Sequence, residues 1–314
     1  FQKQVSSLFT EWYQICEIPS GNNDLYAKFV SQLYLNGLLR GDDLTDRFFH
    51  CLLELSVSHW EVMQLSQQVQ SSFLAIDSYV KLIFSILKYS TVEDRGGKLF
   101  LLYKVLTVTV RTIQNDHDQR KENFNSNPYF RLFINCLSEI CSLKARRDNM
   151  NSEVLFAFAN AFHDLQPLKA PGFSFVWLEL VTHKLFMPKL LMTDNQIGWP
   201  FVYLLLRDLF RFMEPYLRNA ELTDPIRFVY KRTLRVLLVL LHDVPDVLCC
   251  YHLYFCNVIP PKCIHMRNII LSASPCNIRV PDPFTPNIDI RRETSKAPRI
   301  LSEVHAALSE NKMK

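Results

Sequence analysis

Glycine is scarce in this chain, with 7 in 314 residues where ordinary usage runs near ~7%. So few glycines leave little material for the tight hairpin turns of antiparallel sheets or for phosphate-cradling loops. The motifs G-x-S-x-G, G-x-x-x-x-G-K and G-x-G-x-x-G are missing, as are H-E-x-x-H and C-x2-C. Excess charge of one sign is also in short supply. Lys and Arg number 35 against 31 Asp and Glu, and the net +4 gives no whole-protein electrostatic case for nucleic acid or a membrane surface. The short basic clusters Lys144 to Arg147 and Arg291-Arg292 read as a solvated helix end and a loop. Long apolar runs are lacking too. Val247 to Pro261 contains His252 and Asn257 and ends in two prolines, which makes it too short and too polar for a bilayer span.

What is present points to helices. An apolar content of 48% suffices to bury a sizeable core, and the apolar residues recur at helical spacing. After Gly41, the pair Asp42-Asp43 supplies capping and favourable first-turn charge, and Phe48, Phe49, Leu52, Leu53, Leu55, Val57 and Trp60 then form a broad face. Further helical segments are predicted at Phe73 to Tyr89, Lys98 to Ile113, Pro128 to Leu143, Glu153 to Leu165, Phe173 to Leu191, Phe201 to Leu217, Ile226 to Leu241, Pro245 to Val258 and Lys262 to Ser272. Asn127-Pro128, Thr223-Asp224-Pro225 and Asp243-Val244-Pro245 place proline where its missing N–H costs nothing, in the first turn, and Asn127 is the expected capping amide. LFLLYKVLTVTV, residues 99 to 110, is β-branched enough for a buried strand, yet no partner strand lies nearby, so it reads as a helix buried on most sides. QNDHDQRKENFNSNP, residues 114 to 128, reads as a polar loop.

About a dozen helices with short connections predict an all-α, HEAT-like helical-repeat solenoid of antiparallel helix pairs. One stretch departs from the pattern. Residues 274 to 298 carry prolines at 275, 281, 283, 286 and 298, which exclude a helix of useful length and predict an extended arm packed through Ile278, Val280, Phe284 and Ile288. At the N-terminus, Val5, Leu8, Phe9, Trp12, Ile15 and Cys16 already make a helical stripe, so the chain reads as a fragment.

The densest concentration of reactive side chains is LHDVPDVLCCYHLYFCNVIPPKCIH, residues 241 to 265, with His242, Cys249, Cys250, His252, Cys256, Cys263 and His265. Adjacent cysteines on a helix point about 100° apart, and only Cys249 and Cys256, seven apart, share a face. Leu248, Tyr251, Leu253 and Phe255 supply apolar bulk around them, so core packing is expected and no metal or other cofactor. The carboxylates Asp42, Asp43 and Asp46 could hold Mg²⁺, but a helix start accounts for them. Nine unevenly spaced cysteines suit reduced thiols in the cytoplasm and nucleus.

Several stretches carry a resemblance. PGFSFVWLELVTHKLFMPKLL (171 to 191), GWPFVYLLLRDLFRFMEPYLRNAELTDPIRFVYKRTLRVLLVLLHDVPDVLCCYH (198 to 252), VIPPKCIHMRNIILSASP (258 to 275), RVPDPFTPN (279 to 287) and APRIL (297 to 301) resemble the C-terminal domain of the Not-one scaffold subunit of the CCR-NOT mRNA deadenylase complex. LLRGDDLTDRFF (38 to 49) and FLAIDSYVKLI (73 to 83) resemble the same domain, and Val92 to Asn151 matches mainly by pattern. The resemblance implies one helical-repeat domain over 1–314, with further C-terminal helices in the family beyond Lys314. It implies no active site, no small-molecule substrate, docking of Not-two and Not-three type subunits, and an indirect link to RNA-bound regulators. Deadenylation, translational repression and transcription regulation are the processes such a scaffold supports. Candidate partner-contact residues are Ile197, Trp199 and Pro200 in an aromatic-bearing turn, and Pro281, Asp282, Pro283, Phe284 and Pro286 in the arm. The competing function is direct RNA binding, which requires a basic stripe along one face, whereas the charges look dispersed along the chain.

Overall fold

A computed structural model describes residues 1–18, 23–39, 41–66, 72–90, 95–144, 151–219 and 222–273. Among them are thirteen α-helices and no strand. They fall into two compact units, Phe1–Asp208 and Leu209–Lys314.

The first unit holds α1 (Gln2–Glu17), α2 (Asn23–Leu35), α3 (Asp42–Leu65), α4 (Leu74–Tyr89), α5 (Arg95–Arg120), α6 (Asn127–Lys144), α7 (Asn151–Asp164), α8 (Ser174–Val181), α9 (Met187–Leu191) and the start of α10 (Trp199–Asn219). Their packing follows a rule of two: α1, α3, α5, α7 and α9 pack in succession as one row, and α2, α4, α6 and α8 as another. Hairpin contacts such as α3 on α4 join the rows. This is the two-layered helical repeat that the sequence predicts.

Single residues show why these segments pair. Trp12 of α1 is fully buried; its indole N–H donates to the Ser78 carbonyl of α4 at 2.8 Å, and its ring lies 5.1 Å from both Tyr26 and Phe29 of α2. At the start of α3, Gly41 adopts φ +79, open to glycine at little cost, and the Thr45 hydroxyl donates to its carbonyl at 2.8 Å. Arg131 of α6 grips Asp77 of α4 with two parallel bonds of 2.9 Å, the geometry that makes arginine–carboxylate pairs specific. Deeper in, Phe133, Phe158, Phe162 and Phe186 form edge-to-face contacts at 5.0 to 6.3 Å. The Trp177 N–H donates to the Phe162 carbonyl at 2.6 Å, so a large aromatic is buried with its polar atom satisfied.

The β-branched run at 99 to 110 is helical. Leu102, Val105, Leu106, Val108, Thr109 and Val110 are all buried, and the Thr109 hydroxyl donates back to the Val105 carbonyl. Three expectations require correction. The polar stretch from 114 to 128 is a loop only over residues 124–126, since α5 continues to Arg120, a short 3₁₀ turn spans Lys121–Asn123 and α6 begins at Asn127. Tertiary partners hold it: Asp116 accepts from the Tyr129 hydroxyl at 2.9 Å and pairs with Arg120 at 2.5 Å. Gln114 donates to the Asp164 carbonyl, and His117 Nε2 accepts from Gly172 N–H. Second, Phe173 to Leu191 is not one helix. It breaks between Val181 and Met187, where the His183 ring accepts from Leu185 N–H at 3.2 Å and Pro188 restarts the helix in its first turn. Third, the capping amide before α6 is Asn125, whose Oδ1 accepts from Asn127 N–H at 3.0 Å.

The second unit contains the rest of α10, α11 (Asp224–Asp243), α12 (Pro245–Val258) and α13 (Ile264–Leu271), with the last three in mutual contact. Pro225 and Pro245 occupy first turns as predicted. Phe210 meets Phe255 edge-on at 5.3 Å, and Arg267 caps the end of α12 by donating to the Cys256 and Ile259 carbonyls at 2.6 and 3.0 Å. The Pro-rich arm, 274 to 298, lies outside the described residues.

Candidate partner-docking surface

The turn between α9 and α10 is built around one close approach. A Cβ on Gly198 would lie 2.0 Å from the Leu190 carbonyl oxygen and 2.7 Å from Thr193 Oγ1, so the backbone passes where no side chain fits. Thr193 ties the turn from both sides, its hydroxyl donating to the Leu190 carbonyl at 3.0 Å and accepting from Gly198 N–H at 2.8 Å. Asn195 and Gln196 sit at φ +52 and +60, a region non-glycine residues enter sparingly. Trp199 turns inward, 7% exposed, with its indole N–H on the Leu191 carbonyl at 3.1 Å, and Phe201 stacks on Phe156 at 4.4 Å. Of the three candidates here, Ile197 and Pro200 are on the surface and Trp199 is a packing residue. Met192, which follows α9 directly, is 81% exposed. The candidates Pro281, Asp282, Pro283, Phe284 and Pro286 lie outside the described residues.

Three features went unread in the sequence. One is a groove of about 430 Å³ where α1, α3 and α4 meet, lined by Phe9, Tyr13, Leu55, Val62 and Ala75 among others. It is apolar, and His59 Nδ1 at its edge is buried without a partner. A second is a polar cleft of about 360 Å³ between α3 and α5, with His50, Glu54, Thr112, Asn115, Arg120 and Tyr129. The His50 ring meets Thr112 Oγ1 at 2.9 Å, and burial beside Asp116 pushes the Tyr129 hydroxyl far up, so it stays a donor. The third is Asp208, 1% exposed, held by His163 Nδ1 at 2.5 Å and by Arg207 Nη2 at 3.3 Å. A buried carboxylate persists only when paired in this way. Spatial partners 45 residues apart leave no local sequence signal.

The Cys and His cluster is distributed over the second unit. Cys249 and Cys263 are buried, Cys256 is half-buried and Cys250 is on the surface. Burial raises the Cys249 and Cys256 thiols, and Arg267 opposes the rise at Cys256. Leu253, expected around the thiols, is instead exposed. His252 Nδ1 contacts the Cys249 carbonyl at 2.7 Å, His242 lies outside beside Asp243, and burial next to Cys263 pushes Tyr230 up to about 12. Among the described residues no three His, Cys, Asp or Glu side chains converge as a metal site would require. Asp42 and Asp46 face Lys104 at 2.6 and 3.3 Å, which gives these carboxylates a structural partner. No described helix is long and apolar enough to cross a membrane.

Residues 137–314 match the family model described as CCR4-Not complex component, Not1. The chain belongs to the Not1 family. Relatives of this Not1 chain include the CCR4-NOT transcription complex subunit let-711 of Caenorhabditis elegans, 33% identical over 307 residues, or 90% of this chain and 12% of that protein. General negative regulator of transcription subunit 1 of Saccharomyces cerevisiae is 33% identical over 310 residues, covering 95% and 14%. The chain thus spans less than a sixth of the length of these Not1 relatives. Two solved Not1 structures share its fold. The NOT1 superfamily homology domain from Chaetomium thermophilum superposes with TM-score 0.80 at 26% identity, over 93% of this chain and 57% of that one. A Not1 C-terminal domain in complex with Not4 gives 0.77 at 31% identity, over 91% and 58%.

Proposed function

We propose that this Not1 chain is a non-catalytic scaffold module of the CCR4-NOT complex that docks Not-two and Not-three type subunits. It thereby supports mRNA deadenylation, translational repression and transcription regulation in the cytoplasm and nucleus. The observation that carries this reading is the solved Not1 C-terminal domain of the same fold in complex with Not4, an instance of this helical repeat serving as a protein-binding surface. Stacked helix pairs offer interhelical grooves in which partner segments, disordered when free, can lie down. The apolar groove beside Phe9 and Tyr13 has that character, and the turn between α9 and α10 adds the exposed side chains of Met192, Ile197 and Pro200.

Co-purification tests the reading. The chain, mixed with the N-terminal regions of Not-two and Not-three type subunits, is expected to elute with them in a stable assembly. Binding resting on apolar burial should persist at salt concentrations that dissolve phosphate contacts. A folded chain that ignores both subunits counts against the proposal, and metal-dependent shortening of poly(A) by the purified chain alone would replace it with an enzyme.

A further inference from the structure

The net charge of +4 is unevenly placed. Of the 35 Lys and Arg, 15 lie in residues 209–314, with 10 of the 31 Asp and Glu, so this part carries +5 and residues 1–208 carry −1. Much of the excess sits on one helix. Between Asp224 and Asp243, at the two ends of α11, there is no acidic residue, but there are Arg227, Lys231, Arg232 and Arg235. All four are exposed. At 100° per residue they fall within an arc of about 140°, opposite the buried face of Ile226, Val229, Thr233, Leu237 and Leu240. Arg227 is tethered to Asp224 at 3.2 Å; Lys231, Arg232 and Arg235 form no ion pair among the described residues. The turn of the single helix α11 brings these cations onto one face, the basic stripe that RNA binding requires.

We propose that the exposed face of α11 binds single-stranded RNA through its phosphate backbone, a function additional to subunit docking. The ladder Arg227, Lys231, Arg235 advances about 6 Å per step along the helix axis, so it meets a strand with one charge per monomer at regular intervals. Three of the four cations are arginines, whose planar forks match phosphate and whose faces stack on bases; an acidic peptide offers carboxylates but no base to stack on. Arg232 already lies 5.1 Å from the Phe228 ring centroid, so the stripe has an aromatic-cationic edge of the kind that non-specific single-strand binders use. Binding through the backbone is independent of base sequence.

The test is fluorescence anisotropy with labelled oligoadenylate and oligouridylate of about 20 nucleotides, longer than a typical single-strand site. Both are expected to bind the whole 314-residue chain alike, with a log–log salt slope of about −2 to −3 from four phosphate contacts, equivalent to about 50-fold weakening from 50 to 200 mM salt. Combined Lys231→Glu, Arg232→Glu and Arg235→Glu substitutions, at surface positions, should weaken binding by about tenfold or more and flatten the slope, with the melting temperature unchanged. Lys3→Glu with Lys81→Glu, exposed in the first unit, should weaken it far less. Absence of RNA binding by the folded wild type, or equal binding by the triple variant, overturns the proposal. So does tighter binding of poly-L-glutamate than of RNA, which assigns the face to an acidic protein segment. Because no Not-two or Not-three type subunit is present, failure here leaves the docking reading intact, and the converse also holds.

Discussion

Replacing Gly198 by alanine tests the geometry of the turn between α9 and α10 with one methyl group. The added Cβ would stand 2.0 Å from the Leu190 carbonyl oxygen and 3.0 Å from its carbon, with Thr193 Oγ1 at 2.7 Å. None of these neighbours is the free end of a flexible side chain, so the turn itself must move by more than an ångström. Such a shift endangers the Gly198 N–H bond to Thr193 and the Trp199 indole bond to the Leu191 carbonyl. Overpacking costs about 1 to 3 kcal/mol and each hydrogen bond about 1 kcal/mol; since the losses overlap, the expected destabilisation is about 2 to 4 kcal/mol. Urea unfolding followed by far-UV circular dichroism measures it. Gly37→Ala is the internal standard, because Gly37 has φ +74 but nothing within 4 Å of a Cβ, so only backbone strain of about 1 to 2 kcal/mol applies. If Gly198→Ala unfolds within about 0.5 kcal/mol of the wild type, or costs no more than Gly37→Ala, the close-approach argument fails.

Two further outcomes follow from buried polar groups. Asp208→Ala should cost about 1 to 3 kcal/mol in urea unfolding by removing the buried acceptor of His163 and Arg207, whereas Asp208→Asn, which retains an acceptor, should cost less. Burial, with Lys184 adding to it, lowers the His183 pKa from its ordinary value, and its Nδ1 accepts from Leu185 N–H. The unfolded chain then takes up the proton first, so stability is full above about pH 6.5 and declines as pH falls. His183→Asn should flatten that decline between about pH 7.5 and 5.5.

The sequence exposed the helices wherever burial and spacing act locally. Val5, Leu8, Phe9 and Trp12 mark α1, and Pro225 and Pro245 mark helix starts, because each signal is read within a few residues. It misled where distant partners decide. QNDHDQR looks like a loop until Asp116, His117 and Gln114 find Tyr129, Gly172 and Asp164 across space. Trp199 reads as a candidate partner contact because nothing nearby in sequence announces that the Leu191 carbonyl awaits its N–H. The α11 stripe was within reach, since residues 227, 231 and 235 share a face by spacing alone; counting charges over the whole chain concealed it. The grooves and the His163–Asp208 pair depend on which helices stack, and that is written in packing rather than in any motif.

The rule-of-two packing of the first unit gives it a one-dimensional character. A disturbance at α1 reaches α7 along its row only by way of α3 and α5, and each junction is a place where it can be absorbed. Such arrays fold and open by nearest-neighbour steps, so a substitution that loosens the α1–α3 contact should speed backbone amide exchange in α1 and α3 more than in α7. A ligand seated in the groove that Phe9 and Tyr13 share with α3 and α4 would clamp the junction of α1 with these two helices. Its effect on stability would then exceed what its contact area alone suggests, because it holds shut one of the nearest-neighbour steps by which the array opens.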